Sequence, residues 1–256
     1  RVDATFKAFS DKAVAGGGKA PTKGETAVLR DYGMLKDGVA GFCGVITFDE
    51  VNYFARSQIS DEDYALGRAR GFPLATWGVP ISKDGKLIFI RKRGPEGTYE
   101  GSPHSGYGGL INAKTDFNGP RINPSGFLER TLGKEVGAKV WERKGVVKFM
   151  GLNKYDQNSA KVNNGYDMVF EVAIDATAEQ ILAQLEENPQ FVKGGAVYTA
   201  AEPNSLRNFA QKNRMTPSGL AGVFAYIGSR FGPGEGKNQL RVYNKEIGKP
   251  ADLSFA

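Results

Sequence analysis

A β-hairpin is predicted by the stretch ISKDGKLIFIRKR, residues 81–93. Asp84 and Gly85 lie between two runs rich in apolar and β-branched residues, and Asp-Gly is a strong hairpin signal because both residues tolerate a positive φ. The second run ends in three consecutive cations, residues 91–93. The stretch therefore predicts two antiparallel strands whose basic end leads into the next segment.

That next segment, residues 94–119, reads as a loop rich in glycine and aromatic residues, and it contains Gly106-Tyr107-Gly108-Gly109. A helix is predicted after it, because Asn123 is a good N-cap and Pro124 suits the first helical position. Gly137 is a suitable stop. The apolar positions of this helix recur every four residues, so one face is expected to pack on a core: Leu128, Leu132 and Val136.

The remaining signals alternate between strands and helices. Strands are predicted at 39–48, 146–150, 167–174 and 196–199, and helices at 177–187, 203–212 and 216–230. A capping box, Thr177-Ala178-Glu179-Gln180, opens the first of these helices. Together these elements predict an α+β fold, an α/β/α sandwich in which a mixed sheet lies between helices.

The expected domain organisation follows from composition. Residues 1–38 read as a flexible N-terminal extension, because residues 13–21 are small and without periodicity. Residues 39–231 are expected to form the folded domain, and residues 232–256 a tail that begins with a glycine-rich linker. Within that tail, residues 240–243 alternate like an edge strand.

The quoted hairpin, the Gly-Gly turn and the helical segment LERTLGKEVGA, residues 128–138, together resemble the Nudix family. The family pattern is a hairpin ending in basic residues, a Gly-Gly turn, and a helix with Arg-Glu-apolar-x-Glu-Glu-x-Gly. The resemblance covers residues 74–230 and implies a Nudix-like fold. Arg130, Leu132, Glu135 and Gly137 match the helix pattern, whereas Thr131 and Lys134 stand where the family has glutamates.

In the family, the glutamates at these three helix positions bind Mg²⁺, which clamps a diphosphate and activates water. Here Thr131, Lys134 and Glu135 carry no net charge, and an ammonium group beside one carboxylate repels a dication. We therefore expect no metal cofactor and no metal-dependent hydrolysis. If the protein is active, the resemblance implies Mg²⁺ bound by Glu135, with Glu135 and Glu129 as the catalytic acids. Replacement ligands are then to be sought among the remaining acids of the region: Asp116, Asp156, Asp167 and Glu171.

The formal net charge of +6 is concentrated in residues 83–148, which hold 13 Lys and Arg against 7 Asp and Glu. A concentrated basic segment suits a phosphate-containing ligand or nucleic acid. Lysines on strand edges, where they discourage aggregation, are an equally good interpretation. In the binding hypothesis the ligand-binding residues are five cations and one aromatic: Arg91, Arg93, Arg121, Arg130, Lys134 and Tyr107. Arg130 has a second interpretation, as a brace of its own helix.

Several site classes are excluded by counts. One cysteine, Cys43, excludes an intrachain disulfide, and its apolar surroundings suggest a buried thiol. One histidine, His104, excludes a site with two imidazoles. No run approaches the roughly 20 apolar residues that span a bilayer, and no signal peptide is visible, so we expect a soluble protein without a membrane partner and leave its compartment open.

Three functions remain open. The first is a catalytically degenerate Nudix-like protein that binds a nucleotide, a phosphate group or nucleic acid, or serves as a subunit of a larger assembly. The second is an active metal-dependent hydrolase of nucleoside diphosphate-linked compounds. The third is a purely architectural subunit of a particle or filament. A homo-oligomer or larger assembly joined through the terminal extensions is expected for the first and third.

Overall fold

The computed structural model of the protein describes residues 24–35, 38–47, 71–92, 102–104, 107–135, 144–155, 165–186, 191–213, 215–247 and 254–255. The strands in these ranges are β1 (Glu25–Leu35), β2 (Gly38–Thr47), β3 (Phe72–Ser82), β4 (Lys86–Lys92), β5 (Pro103–His104), β6 (Tyr107–Leu110), β7 (Phe117–Asn118), β8 (Arg121–Ile122), β9 (Lys144–Tyr155), β10 (Gly165–Ile174), β11 (Phe191–Ala200) and β12 (Ser254–Phe255). The helices are α1 (Pro124–Glu135), α2 (Ala178–Glu186), α3 (Pro203–Lys212), α4 (Pro217–Phe231) and α5 (Pro233–Ile247).

The chain divides into two compact units. Unit 1 comprises Arg1–Ala75, Leu110–Asn123 and Lys154–Tyr166, and unit 2 comprises Thr76–Gly109, Pro124–Asn153 and Asp167–Ala256. The α+β class predicted from the sequence is confirmed, because strands of a mixed sheet alternate with helices along the chain.

Unit 1 is built on the antiparallel pair β1–β2, in register from Glu25 opposite Thr47 to Leu35 opposite Gly38. The register shifts between Leu29 and Asp31, so Arg30 is an extra residue that forms a β-bulge. On its other side β1 pairs with the start of β3, with Val28 opposite Pro73. This part of β1 therefore has a strand on each side, and Val28 is 0% exposed.

The prediction of a flexible extension therefore does not hold for residues 25–35, which form β1. The apolar residues 27–29 are buried in the interior of unit 1. The glycine-rich composition of the preceding stretch gave no indication of this burial. Residues 1–23 lie outside the described residues, and the domain boundaries at 38 and 231 stay predictions.

Cys43 is exposed on β2, not buried as its apolar surroundings suggested. Among the described residues β2 pairs with β1 alone, so an apolar sequence here does not mean an interior position. Partial burial of the thiol nevertheless raises the pKa of Cys43.

The sheet of unit 2 has the strand order β11-β4-β3-β10-β9-β12. The predicted hairpin is confirmed as β3–β4, and its turn needs glycine at Gly85, where φ is 70°. The Gly85 amide donates to the Ser82 carbonyl over 2.9 Å. The Ser82 hydroxyl closes the hairpin by donating to the Lys86 carbonyl and accepting from the Lys86 amide, at 3.1 and 3.0 Å.

Helices cover both faces of this sheet. The side chains of Leu87 and Phe89 on β4 belong to a buried cluster with residues of α3, α4 and α5. Lys86 alternates with them and therefore points to the opposite face, where it meets Glu179 of α2. The sheet thus lies between α2 and the group α3–α5, as the predicted α/β/α sandwich requires.

The predicted helix boundaries agree closely with the structure. Helix α1 begins at Pro124, and α2 opens with the predicted capping box: the Thr177 amide donates to Gln180 Oε1 at 3.0 Å, and the Gln180 amide to Thr177 Oγ1 at 3.3 Å. Thr216 caps α4 by accepting from the Gly219 amide at 3.0 Å.

Two predicted assignments are wrong. The edge strand at residues 240–243 is instead part of α5, whose buried positions, Gly236, Gln239, Leu240 and Tyr243, follow helical spacing. The alternation over four residues was too short a window to show this period. The predicted loop at residues 94–119 contains β5, β6 and β7 in its described part.

Candidate functional site

Helix α1 carries the residues that resemble the Nudix box. Phe127 and Leu128 are 2% and 0% exposed, Glu129 and Arg130 are exposed, and Thr131 is half-buried. Because α1 is helical through Glu135, positions 131, 134 and 135 share one face, at the i, i+3 and i+4 spacing that the family uses for its glutamates. The backbone spacing is therefore present here, with other residue types at two of the three positions.

Arg130 lies against its own helix. Its guanidinium carbon is 5.3 Å from the centroid of the Phe127 ring, which is cation–π distance. Phe127 is buried, so this contact ties the arginine to a fixed ring one turn earlier. This contact supports the interpretation that Arg130 braces its own helix.

The basic end of the hairpin lies beside a short strand. Ile90 and Arg91 of β4 pair with His104 and Pro103 of β5, so the backbone of the glycine-rich segment returns to the cationic end of β4. Tyr107 begins β6 in the same segment. The side chains of Arg91, His104, Tyr107, Lys134 and Glu135 are not among those described. Arg93 lies outside the described residues.

Arg121 belongs to a different compact unit from the other candidate residues. It lies on β8 in unit 1, exposed, opposite Asn118 of β7. Arg91, Tyr107, Glu129, Arg130, Lys134 and Glu135 all belong to unit 2.

The Gly-Gly pair was predicted to be a turn, but both glycines lie in the strand β6, where Gly108 has a steric role. A Cβ atom built there would lie 2.0 Å from the Thr76 carbonyl oxygen and 2.6 Å from the Trp77 ring. Gly109, its neighbour, has nothing within 4 Å of the same position. Only the first glycine is required for β6 to reach β3.

Asp116, one of the possible replacement metal ligands, has a structural role in unit 1. It is 1% exposed, and its two carboxylate oxygens accept from the Asn112 amide at 2.7 Å and from the Thr115 hydroxyl at 3.1 Å. Its backbone carbonyl accepts from the Asn123 amide at 2.8 Å. These bonds fix the turn that precedes α1.

Asp167 and Glu171 lie on β10, and Asp156 lies outside the described residues. Burial raises the pKa of the Tyr226 phenol, the carboxylates of Glu171 and Glu202 raise it further, and Arg230 lowers it in part. Glu171 and Tyr226 are therefore close enough to interact, on the sheet face that α4 covers. Among the described residues, no three His, Cys, Asp or Glu side chains form a group suited to a metal ion.

Sequence reasoning missed a charged cluster at the hairpin tip. Asp84 Oδ1 accepts from the Ala178 amide at 2.9 Å and so caps α2 from another element. Lys86 Nζ lies 3.1 Å from Asp84 Oδ2 and 3.4 Å from Glu179 Oε1, and 4.3 Å from the centroid of the Tyr198 ring. The Tyr198 hydroxyl donates to Glu179 Oε1 at 3.0 Å. No local pattern in the sequence predicts this, because the four residues come from three separate segments.

The hydrogen bonds of this tip lower one pKa strongly. Partial desolvation of Asp84 acts to raise its pKa, but hydrogen bonding from Ser82, from the Ala178 amide and from Lys86 prevails and brings the pKa to about 2. The tip is therefore a structural clamp that depends on an ionised carboxylate.

A second polar network joins α3 to α5. Arg207 Nη1 donates to Gln239 Oε1 at 2.8 Å, and Gln239 Nε2 donates to Glu235 Oε1 at 2.7 Å and to Asn204 Oδ1 at 3.2 Å. The N-cap of α3 is Glu202. The network ties the predicted tail to the rest of unit 2.

No family model matches the chain, and no curated protein matches it. Several solved structures do. DR0079 from Deinococcus radiodurans matches at a TM-score of 0.41 and 10% identity, over 73% of this chain and 89% of that one. The E. coli dihydroneopterin triphosphate pyrophosphohydrolase matches at 0.36 and 12%, over 59% and 92%. The MutT protein from Methanosarcina mazei Go1 matches at 0.34 and 11%, over 69% and 96%.

These are structures of the Nudix family, each at 10–12% identity to this chain. In the part of the chain that the structure describes, no helix is both long and apolar enough to cross a membrane.

Proposed function

We propose that this protein is a catalytically degenerate Nudix-like protein that binds a phosphate-containing ligand, a nucleotide or a nucleic acid, and does not hydrolyse it with a metal ion. The observation that supports this is the composition of one face of α1. The helix is continuous from Pro124 to Glu135, and the three positions that share the face hold Thr131, Lys134 and Glu135.

Electrostatics favours binding over metal catalysis at such a face. Mg²⁺ gives up its waters only to concentrated negative charge, usually from carboxylates. A hydroxyl, an ammonium and a carboxylate sum to zero. Lys134 and Glu135 each lie one helical turn from Thr131, at the i+3 and i+4 positions, so a cation of the protein shares that face with the remaining carboxylate.

The same lysine can take the role toward phosphate that a dication would have. Charge-assisted hydrogen bonds from Lys and Arg to phosphate oxygens are among the stronger ones in proteins. The proposed ligand-binding residues of unit 2 are Arg91, Arg93, Tyr107, Arg130 and Lys134. Tyr107 would offer its ring to a base, and the Arg130 contact with Phe127 leaves a role for Arg130 as a brace. Arg121 stays a separate prediction from the sequence.

Binding is tested with labelled nucleoside diphosphate and a short labelled single-stranded RNA. We expect an affinity that falls steeply with salt, and a loss of about tenfold or more for Lys134→Glu and for Arg91→Glu. The matched control is Lys237→Glu, an exposed lysine of α5 outside the basic segment. If all three variants bind equally well, the proposed site is wrong.

Hydrolysis is tested in parallel with Mg²⁺ or Mn²⁺ and a panel of dinucleotides and nucleotide sugars. We expect no turnover. Turnover that disappears in Glu135→Gln would overturn the proposal in favour of the metal-dependent hydrolase with Glu135 and Glu129.

A further inference from the structure

Strand β2 presents an apolar edge. Phe42 is 79% exposed and Val45 is 54% exposed, and Cys43 between them is exposed as well. Within the described residues, β1 is the one strand that pairs with β2. The opposite edge of β2 therefore carries backbone groups without a strand partner in that part of the chain.

The sequence of β2 lacks the features that normally keep such an edge from pairing. Its ten residues, GVAGFCGVIT, include no charged residue and no proline. Natural edge strands are usually protected by lysine, proline or inward-pointing charges, and an uncovered edge without them is a template for another strand.

We propose that β2 pairs antiparallel with β2 of a second copy of this chain, about a two-fold axis at Cys43. An isologous interface requires a self-complementary surface, and this strand has one. With Cys43 opposite Cys43, Phe42 stands opposite Gly44 and Val45 opposite Gly41. Each exposed large side chain thus faces a glycine of the second copy, and the two members of each pair lie on the same face of the joined sheet. Phe42 and Val45 themselves lie on opposite faces, because side chains alternate along a strand.

Arg30 supplies the partner for the Phe42 ring. The place of a side chain at Gly44 is taken by the Arg30 guanidinium, since a Cβ built there would lie 2.9 Å from Arg30 Nε and 3.2 Å from Arg30 Cζ. In the proposed register, the Phe42 ring of the second copy crosses Gly44 and meets this guanidinium. That is a cation–π contact, made twice by symmetry.

In the two neighbouring registers that keep the two-fold axis, large residues would face each other: an axis at Phe42 sets Phe42 opposite Phe42, and an axis at Gly44 sets Phe42 opposite Ile46. The glycines at 41 and 44 therefore select the pairing. This interface is independent of the proposed phosphate site, because it is built entirely from β1 and β2 of unit 1.

The oligomeric state of the full chain tests the surface. Light scattering over a range of concentrations should show a dimer whose dissociation constant rises about tenfold or more in Phe42→Lys. Phe231→Lys is the matched control, because Phe231 is another exposed aromatic, 41% exposed at the end of α4, and should leave the dimer unchanged. A wild-type chain that is monomeric at every concentration, or a dimer that Phe42→Lys leaves intact, overturns the proposal.

Cross-linking tests the register. Two copper(II)–phenanthroline complexes each accept one electron from a pair of thiols, which lose two protons and form a disulfide. Antiparallel partners directly opposite each other lie about 4.5–5.5 Å apart between Cα atoms, within disulfide reach. We expect rapid formation of a Cys43–Cys43 dimer, reversed by dithiothreitol and lost in Phe42→Lys.

The control moves the thiol along the strand. In Cys43→Ser with Ala40→Cys, residue 40 faces Ile46 of the second copy, and the two new thiols lie six residue steps apart, about 20 Å. This variant keeps Phe42 and Val45, so it should dimerise without cross-linking. Cross-linking at the wild-type rate would rule out the register. Failure of RNA or nucleotide binding would leave these results untouched, so the two proposals fail separately.

Discussion

At Gly108 and Gly236 the backbones of two elements touch, whereas at the tip of the β3–β4 hairpin charged side chains bridge between elements. The glycine contacts leave no room for an added carbon: a Cβ at Gly236 would lie 2.9 Å from the Gly228 Cα across the α4–α5 crossing. The tip is open to water, with the Asp84 and Lys86 side chains 31% and 30% exposed. Steric contacts are not screened by solvent and exposed charges are, so the two regions should respond very differently to substitution.

The largest effect is expected from Gly108→Ala. The added methyl group would lie 2.0 Å from the Thr76 carbonyl oxygen, which belongs to backbone and cannot swing away. Strand β6 would have to leave β3, and we expect a loss of about 3 kcal/mol in the free energy of unfolding, measured by urea denaturation. Gly109→Ala is the control and should change stability by less than about 1 kcal/mol. Equal effects of the two would contradict the steric account.

Gly236→Ala should cost about 2 kcal/mol, because α4 and α5 are forced apart at Gly228. The helices can shift by a fraction of an ångström, which makes this contact more tolerant than the one at Gly108. Gly234→Ala, two residues earlier in the same helix, meets nothing within 4 Å and should be neutral or slightly stabilising. Thermal unfolding of the two variants side by side separates sterics from helix propensity.

At the hairpin tip, Asp84→Ala should cost about 1 kcal/mol, since it removes the cap on the Ala178 amide and one partner of Lys86. Asp175→Ala is the control, because its ion pair with Lys83 is far more exposed, at 68% and 67%. We expect that control to change the free energy of unfolding by less than about 0.5 kcal/mol. A loss at Asp175 as large as that at Asp84 would show that the tip is no clamp.

The smallest effect, and the one that sharpens the comparison, is a pH dependence confined to the tip. The pKa of Asp84 is about 2 in the folded chain and about 3.9 in an unfolded one. The stabilisation that the ionised Asp84 carboxylate contributes to the folded state is therefore complete above about pH 4 and is lost as the pH falls toward 2. The stability difference between wild type and Asp84→Ala should shrink over that range, whereas the Gly108→Ala difference should not. The measurement is denaturant unfolding at successive pH values.

The same contrast explains which features the sequence could predict. The hairpin, the start of α1 and the α2 capping box are decided within a few residues, and each was predicted where it is found. The strand β1 and the helix α5 were missed because their buried positions are set by packing against other elements, β2 and β3 for β1 and α3 and α4 for α5. Cys43 was misjudged for the same reason: an apolar run does not say whether a strand has one neighbour or two.

For the candidate site, the chain's own residue order placed Thr131 and Lys134 at the helix positions where the resemblance leads one to expect acids. Covalent spacing on a helix sets that face, whatever surrounds it. Only the tertiary structure decided that Gly108, and not Gly109, is sterically required, that Asp116 holds a turn, and that Asp84 caps a helix 94 residues away. Those roles depend on which atoms come into contact between separate segments of the chain. Only the packing of the folded protein determines these contacts.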